Sequence, residues 1–182
     1  MNSRLRRFPV VRFLALAAAL ALPAAGAAES GPYEPATVPM ELHEAGDGVY
    51  YVTGQAGVPD SDNQGFMSNA GFVVTGDGVV VFDALGTPSL GWKLLQKIRS
   101  VTDQPVRHVV ISHYHADHIY GLQAFVDHTD ATVWAQQRAQ QYLEGNNAQR
   151  RLAQRREALF PWVDKQTRVV APERTFEDSH AF

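Results

Sequence analysis

The sequence predicts an α/β fold on three observations. Residues 106–112 form a run of β-branched and apolar side chains, Val106 through Ile111, that reads as a buried strand. Residues 69–83 hold two apolar stretches on either side of Gly76-Asp77-Gly78, the pattern of a tight hairpin. Segments with helical spacing lie between and after these strands.

The elements follow in order. Residues 29–47 are rich in Pro, Glu, Gly and Ala and read as an irregular leader. Residues 48–53 are β-rich, and their aromatic pair Tyr50 and Tyr51 is expected to pack in the first strand of the sheet. Residues 54–68 form a loop in which Val58, Phe66 and Met67 are the larger apolar groups; its length suits a mobile cover. After Asp83 the chain turns, and Thr87 or Ser89 caps a helix with Trp92, Leu95 and Ile98 on one face and Lys93, Lys97 and Arg99 in solvent. Gln104-Pro105 breaks the chain before the strand at 106–112, in which His108 reads as a packed or edge histidine. A short helix is expected from His118 to Val126 and a strand from Ala131 to Trp134. Residues 135–144 and 148–160 read as two helices, with Gly145 as C-cap of the first and Asn147 as N-cap of the second. Arg150, Arg151, Arg155 and Arg156 then form a solvated face opposite Leu152, Leu159 and Phe160, in preference to an anion site. Weak β signals follow around Val169 and at Thr175-Phe176.

The ends bound the function. Arg4, Arg6, Arg7 and Arg12, an apolar stretch from Phe13 to Leu22, and Ala25-Gly26-Ala27 make residues 1–28 an expected signal peptide. The apolar stretch falls short of the roughly 20 residues of a membrane span. A periplasmic or secreted protein without a stable membrane anchor is therefore expected. Taking those four arginines from 16 basic residues leaves 12 against 19 acidic ones, a net charge of −7. That balance argues against nucleic acid as a partner and for a small-molecule substrate. Cysteine is absent, which excludes disulfides and thiolate metal sites.

The chemistry concentrates in His113-Tyr114-His115-Ala116-Asp117-His118, at the end of the motif strand. Imidazole and carboxylate are ligands for a borderline ion such as Zn²⁺, and carboxyl ends of strands are where α/β folds place their sites. His113 and His115 point the same way in extended backbone and can share an ion. Asp117 and His118 are adjacent and face differently, which suits a second ion close by.

His-x-His-x-Asp-His, together with the hairpin that closes on Asp83, resembles the metallo-β-lactamase superfamily from about Gly48 onward. The resemblance implies the N-terminal half of an αββα sandwich. It implies that His113 and His115 bind a first metal and Asp117 and His118 a second. Asp83 would be the carboxylate that orients the ligand loop. Asp117 would also orient the nucleophile, and Phe66, Met67 and Tyr114 would be near substrate. His118 is similar to the residue kept in glyoxalase II-type hydrolases and in one lactamase branch. The implied activity is that of an exported hydrolase with two Zn²⁺ in the complete enzyme, cleaving a lactam, ester or thioester through a metal-activated water. An iron-dependent sulfur or persulfide dioxygenase is the alternative, since the same donors suit Fe. A complete site in this superfamily takes a further His, Asp and His. His128 and His180, the imidazoles that follow His118, read as surface groups. Residues 48–182 are therefore expected to be an incomplete domain lacking its C-terminal half, which leaves an inactive fragment as a third reading.

Overall fold

The computed structural model describes residues 31–144 and 146–182. The expected signal peptide and the Gly145 cap lie outside the described residues. Seven strands form one sheet in chain order: β1 (His43–Gly46), β2 (Val49–Val52), β3 (Ala70–Val74), β4 (Val79–Phe82), β5 (Val106–Ile111), β6 (Thr132–Gln136) and β7 (Arg174–Phe176). β1 to β4 pair antiparallel, and β4 to β7 pair parallel. Helical connections bridge the parallel strands: α1 (Pro88–Val101) before β5, α2 (Ala116–Ile119) and α3 (Leu122–His128) before β6, and α4 (Ala139–Glu144) and α5 (Asn146–Ala158) before β7. This is the α/β class expected, in which parallel strands need long crossovers.

Register explains which side of the sheet is core. Tyr50, Phe72, Val81, Val109 and Val133 align across five strands. The last four are all buried and join Leu90, Leu94, Ile98 and Phe125 in one core. The neighbouring row, Tyr51, Gly71, Phe82, Val110 and Trp134, points to the opposite face. There Tyr51 and Phe82 stay 42% and 46% exposed.

Two glycines lock the helices onto the sheet. A Cβ on Gly121 would lie 1.7 Å from the Ala84 carbonyl oxygen, and one on Gly91 would lie 2.2 Å from the Gly121 oxygen. α1, the start of α3 and the segment after β4 thus meet backbone to backbone. The Gly121 amide donates to the Leu85 oxygen, and the Ala84 amide to the His118 oxygen, each at 3.0 Å.

Several expectations need correction. His43–Gly46 inside the supposed irregular leader pairs with β2, so residues 49–52 form the second strand. Thr87 is the cap of α1, its side chain accepting from the Leu90 amide. Lys93 is not solvated: its Nζ donates to the Ala36 and Val38 oxygens at 2.8 and 2.6 Å. The helix expected from His118 is two short ones, broken at Tyr120-Gly121 where the close approach to Ala84 is made. β6 extends to Gln136, so the next helix starts only at Ala139, and Asn147 lies inside α5. Phe160 is 71% exposed and leaves the core to Leu152 and Leu159.

Candidate metal centre

The sheet brings Asp83, just past β4, beside Ser112 and His113, just past β5, because β4 and β5 are parallel neighbours. Both lie at carboxyl ends of strands. Asp83 adopts a left-handed backbone (φ 61°), which Asp tolerates better than most residues. Its amide donates to the Val110 oxygen at 2.9 Å.

From this position the Asp83 carboxylate gathers three donors. Oδ1 accepts from the Ser112 amide at 2.8 Å. Oδ2 accepts from the Ser112 hydroxyl at 2.7 Å and from His118 Nδ1 at 2.8 Å. Ser112 Oγ also lies 2.9 Å from His113 Nδ1. Since the hydroxyl proton goes to Asp83, Ser112 accepts from His113 there. One carboxylate therefore sets both tautomers, with Nδ1 of His113 and of His118 protonated and both Nε2 lone pairs free to ligate.

The motif residues form one cluster. The His113 ring centroid lies 4.5 Å from that of His115 and 4.2 Å from that of His118. Asp117 Oδ2 lies 3.5 Å from His118 Nε2. His113 and His115 thus lie together, Asp117 and His118 meet each other, and the two pairs adjoin through His113 and His118. Ser68 ties the loop down through its hydroxyl, which donates to the Asp117 carbonyl.

Charge follows this geometry. Burial, then the charges of His118 and His115, pull His113 below the ordinary histidine range against Asp83 and Asp117. Burial also lowers His118, but the hydrogen bond to Asp83 and the charges of Asp83 and Asp117 outweigh it and leave the imidazole raised. Three imidazoles and two carboxylates match a borderline divalent ion in donor chemistry. Among the described residues, however, no three donor side chains form a ready cage. His113, His115, Asp117 and His118 fit the ion as ligands, and Asp83 fits as the group that aims them.

The remaining candidates are placed differently. Phe66 is 1% exposed and belongs to the core, where it cannot overhang the cluster. Tyr114 is buried, and its hydroxyl donates to the Val170 oxygen at 3.1 Å. Met67 borders a small recess with Asp117 and Arg155. The loop carrying Phe66 and Met67 is tied down: the Gln55 amide donates to Phe66, and the Gln64 side chain bridges Thr37 and Val38. His108 accepts from Trp134 Nε1 at 3.1 Å and stacks on Phe182. His180 is exposed but stacks on Trp134. His128 is half-buried, edge-on to Tyr33 and Trp92. None of these three joins the cluster. Ser112 and Ser68 were missed from sequence, and Arg155 was read only as part of a solvated helix face. Ser112 alone carried a signal, as a hydroxyl next to the motif at the strand end.

The chain belongs to the metallo-beta-lactamase superfamily, whose family model matches residues 63–181. It is 34% identical over 50 residues to a linear primary-alkylsulfatase of Pseudomonas sp. (strain ATCC 19151), covering 28% of this chain and 10% of that protein. A stereoselective inverting sec-alkylsulfatase from Pseudomonas sp. aligns with a TM-score of 0.55 at 21% identity, over 76% of this chain and 24% of the other. A metallo-beta-lactamase from Pseudomonas aeruginosa, solved in its mono-zinc form, aligns with a TM-score of 0.51 at 16% identity, over 76% of this chain and 51% of the other. These structural likenesses establish the fold. The chain spans a tenth of the alkylsulfatase it matches in sequence and about half of the lactamase.

Proposed function

We propose that this chain carries metal-binding residues of an exported, zinc-dependent hydrolase that cleaves an ester, thioester or lactam. The observation that carries the reading is the Asp83 carboxylate holding His118 directly and His113 through Ser112. Such supporting partners keep a metal-ligating imidazole in the right tautomer and raise its basicity. His113, His115, Asp117 and His118 would hold the ion. When bound, the ion supplies Lewis acidity and lowers the pKa of a coordinated water. Asp117 accepts a hydrogen bond from the attacking water and turns it toward the substrate, while Asp83 keeps the two imidazoles aimed. Membership of a superfamily that includes metal-dependent hydrolases supports this chemistry, and the mono-zinc relative supports the choice of metal.

Among esters, a sulfate ester is favoured by the match to an alkylsulfatase. The leader arginines and apolar stretch support export, and the described residues include no helix long and apolar enough to cross a membrane. A small-molecule substrate, not nucleic acid, fits the acidic balance of the mature chain. The test is turnover of a medium-chain alkyl sulfate, a chromogenic cephalosporin and a thioester by zinc-loaded protein, beside an Asp117→Asn variant. Zinc-dependent turnover of at least one substrate, lost in D117N, supports the reading. Turnover independent of added zinc, or purification with one iron per chain and no zinc, overturns it.

A further inference from the structure

Two recesses meet at the ligand loop, and their linings are opposite in character. One, about 260 Å³, runs from His113, Tyr114 and His115 along Ile111, Ala135 and Ala139; its exposed lining is more apolar than polar, although Gln136 and Arg138 also border it. The other, about 520 Å³, is bounded by His115, Asn147, Arg150, Arg151 and Gln154 and contains no acidic side chain. Tyr142 is the wall between them, lining both.

On α5, Arg150 and Arg151 are exposed as expected, while Arg155 and Arg156 are half-buried. Arg156 has a structural task, donating to the Asp164 and Thr167 oxygens at 2.7 Å each. Arg150 reaches only Asn147 Oδ1, at 2.8 Å. Among the described residues no carboxylate forms an ion pair with Arg150, Arg151 or Arg155. Arg155 is half-buried and borders the recess beside Asp117. Burial first, and then the charge of Arg151, lower its pKa. The charges of Tyr120, Asp117 and Tyr142 act the other way and favour its guanidinium form. An acidic mature chain has thus gathered like charges on one helix at the edge of its ligand loop. Guanidinium pairs of this kind bind planar or tetrahedral oxyanions through paired N–H donors.

We propose that Arg150 and Arg151 bind the oxyanion of an amphiphilic substrate, whose hydrocarbon arm lies in the recess of Ile111, Ala135 and Ala139. The placement of the reacting centre over His113 and His115 rests on the hydrolase reading above; the binding of the anion does not. Arg155 adds positive potential from below. Sulfate and carboxylate share the required chemistry, and the recess accepts an unbranched apolar chain.

The test is calorimetric binding to the full chain of three probes of equal chain length, below their micelle concentrations: an alkyl sulfate, an alkyl carboxylate and an uncharged alkyl glycoside. At least one anion is expected to bind about tenfold tighter than the glycoside, the scale of charge-assisted hydrogen bonds. R150Q/R151Q should lose that advantage while keeping glycoside affinity and zinc uptake. Loss of affinity for sulfate alone identifies a tetrahedral anion; loss for both identifies a general oxyanion site. A139W, which fills the apolar recess, should weaken all three probes. R107Q, at an exposed arginine on β5, should change nothing. Equal affinity for anion and glycoside, or an equal effect of R107Q, would overturn the proposal. If zinc uptake fails while arginine-dependent anion binding persists, the hydrolase reading fails and the anion site stands.

Discussion

His118 Nδ1 lies 2.8 Å from Asp83 Oδ2, across 35 residues of sequence, and the same oxygen accepts the Ser112 hydroxyl at 2.7 Å. One buried carboxylate thereby couples the end of β4 to the ligand loop after β5. Asp83→Asn replaces an acceptor with a group that can accept on one atom only. Zinc affinity should fall about 10- to 100-fold, the range for supporting partners of metal ligands. Ser112→Ala should weaken it less, because only His113 is released. Competition with a chromogenic chelator measures both, and unchanged affinity in D83N would remove Asp83 from the site.

Gly121→Ala should be among the most damaging small substitutions in the chain. Its Cβ would sit 1.7 Å from the Ala84 oxygen, where backbone on both sides leaves nothing flexible to yield. A loss of about 3 kcal/mol is expected, at the upper end for overpacking. The corresponding fall in Tm is roughly 6–12 °C for a domain of this size. A thermal melt within about 2 °C of wild type would contradict the backbone packing.

Tyr114 lies inside the motif yet points its hydroxyl to the Val170 oxygen. Tyr114→Phe should cost about 1 kcal/mol of stability, the usual net value of one hydrogen bond. Zinc affinity and turnover should stay at wild-type levels. A change in KM without a change in urea midpoint would return Tyr114 to the substrate-contacting set.

Arg168 and Tyr33 both donate to Asp127, Arg168 Nη2 at 2.5 Å and the Tyr33 hydroxyl at 3.1 Å. The Arg168 hydrogen bond is the main cause that holds the Asp127 carboxyl below its usual range, against burial and with help from Tyr33. A depressed folded-state pKa gives stability that is present above the unfolded value and lost as pH falls through the folded one. The pair is substantially exposed, with side chains 49% and 33% accessible, so its worth at neutral pH is at most about 1 kcal/mol. Asp127→Asn should show that deficit near pH 7 and a smaller one at about pH 3, because the pair's contribution fades as pH falls below the unfolded value and through the depressed folded one. Urea melts at the two pH values decide it, and a deficit that persists undiminished in acid would show that packing, not charge, is lost.

Local signals made the fold largely legible. The Gly76-Asp77-Gly78 hairpin, the Thr87 cap and the apolar run before the motif each rest on interactions within a few residues. What escaped was set by distance. β1 has little strand character in His43-Glu44-Ala45-Gly46 and exists because β2 pairs with it. Lys93 has the periodicity of a solvated residue and is recruited by carbonyls some 55 positions away. The ligand loop was visible as a motif and Asp83 as its expected support, but the Ser112 hydroxyl between Asp83 and His113 was not. Ser112 sits next to the motif, but it meets Asp83 only when β4 and β5 pair, and Arg155 comes beside Asp117 only when α5 is brought to the loop. Phe66 and Tyr114 were expected near substrate because of their position in the chain. Phe66 is buried because its loop is bonded back at Gln55, Gln64 and Ser68, and Tyr114 because its hydroxyl is held at the Val170 oxygen.

The central claim is that His113, His115, Asp117 and His118 together hold a divalent metal, and zinc uptake tests it most directly. Equilibrium dialysis against Zn²⁺ followed by elemental analysis compares the wild-type chain with H113A/H115A/D117A/H118A. At least one zinc per chain should stay on the wild type and none on the variant, with both folded by circular dichroism. Equal zinc on both proteins, or none on either, would contradict it.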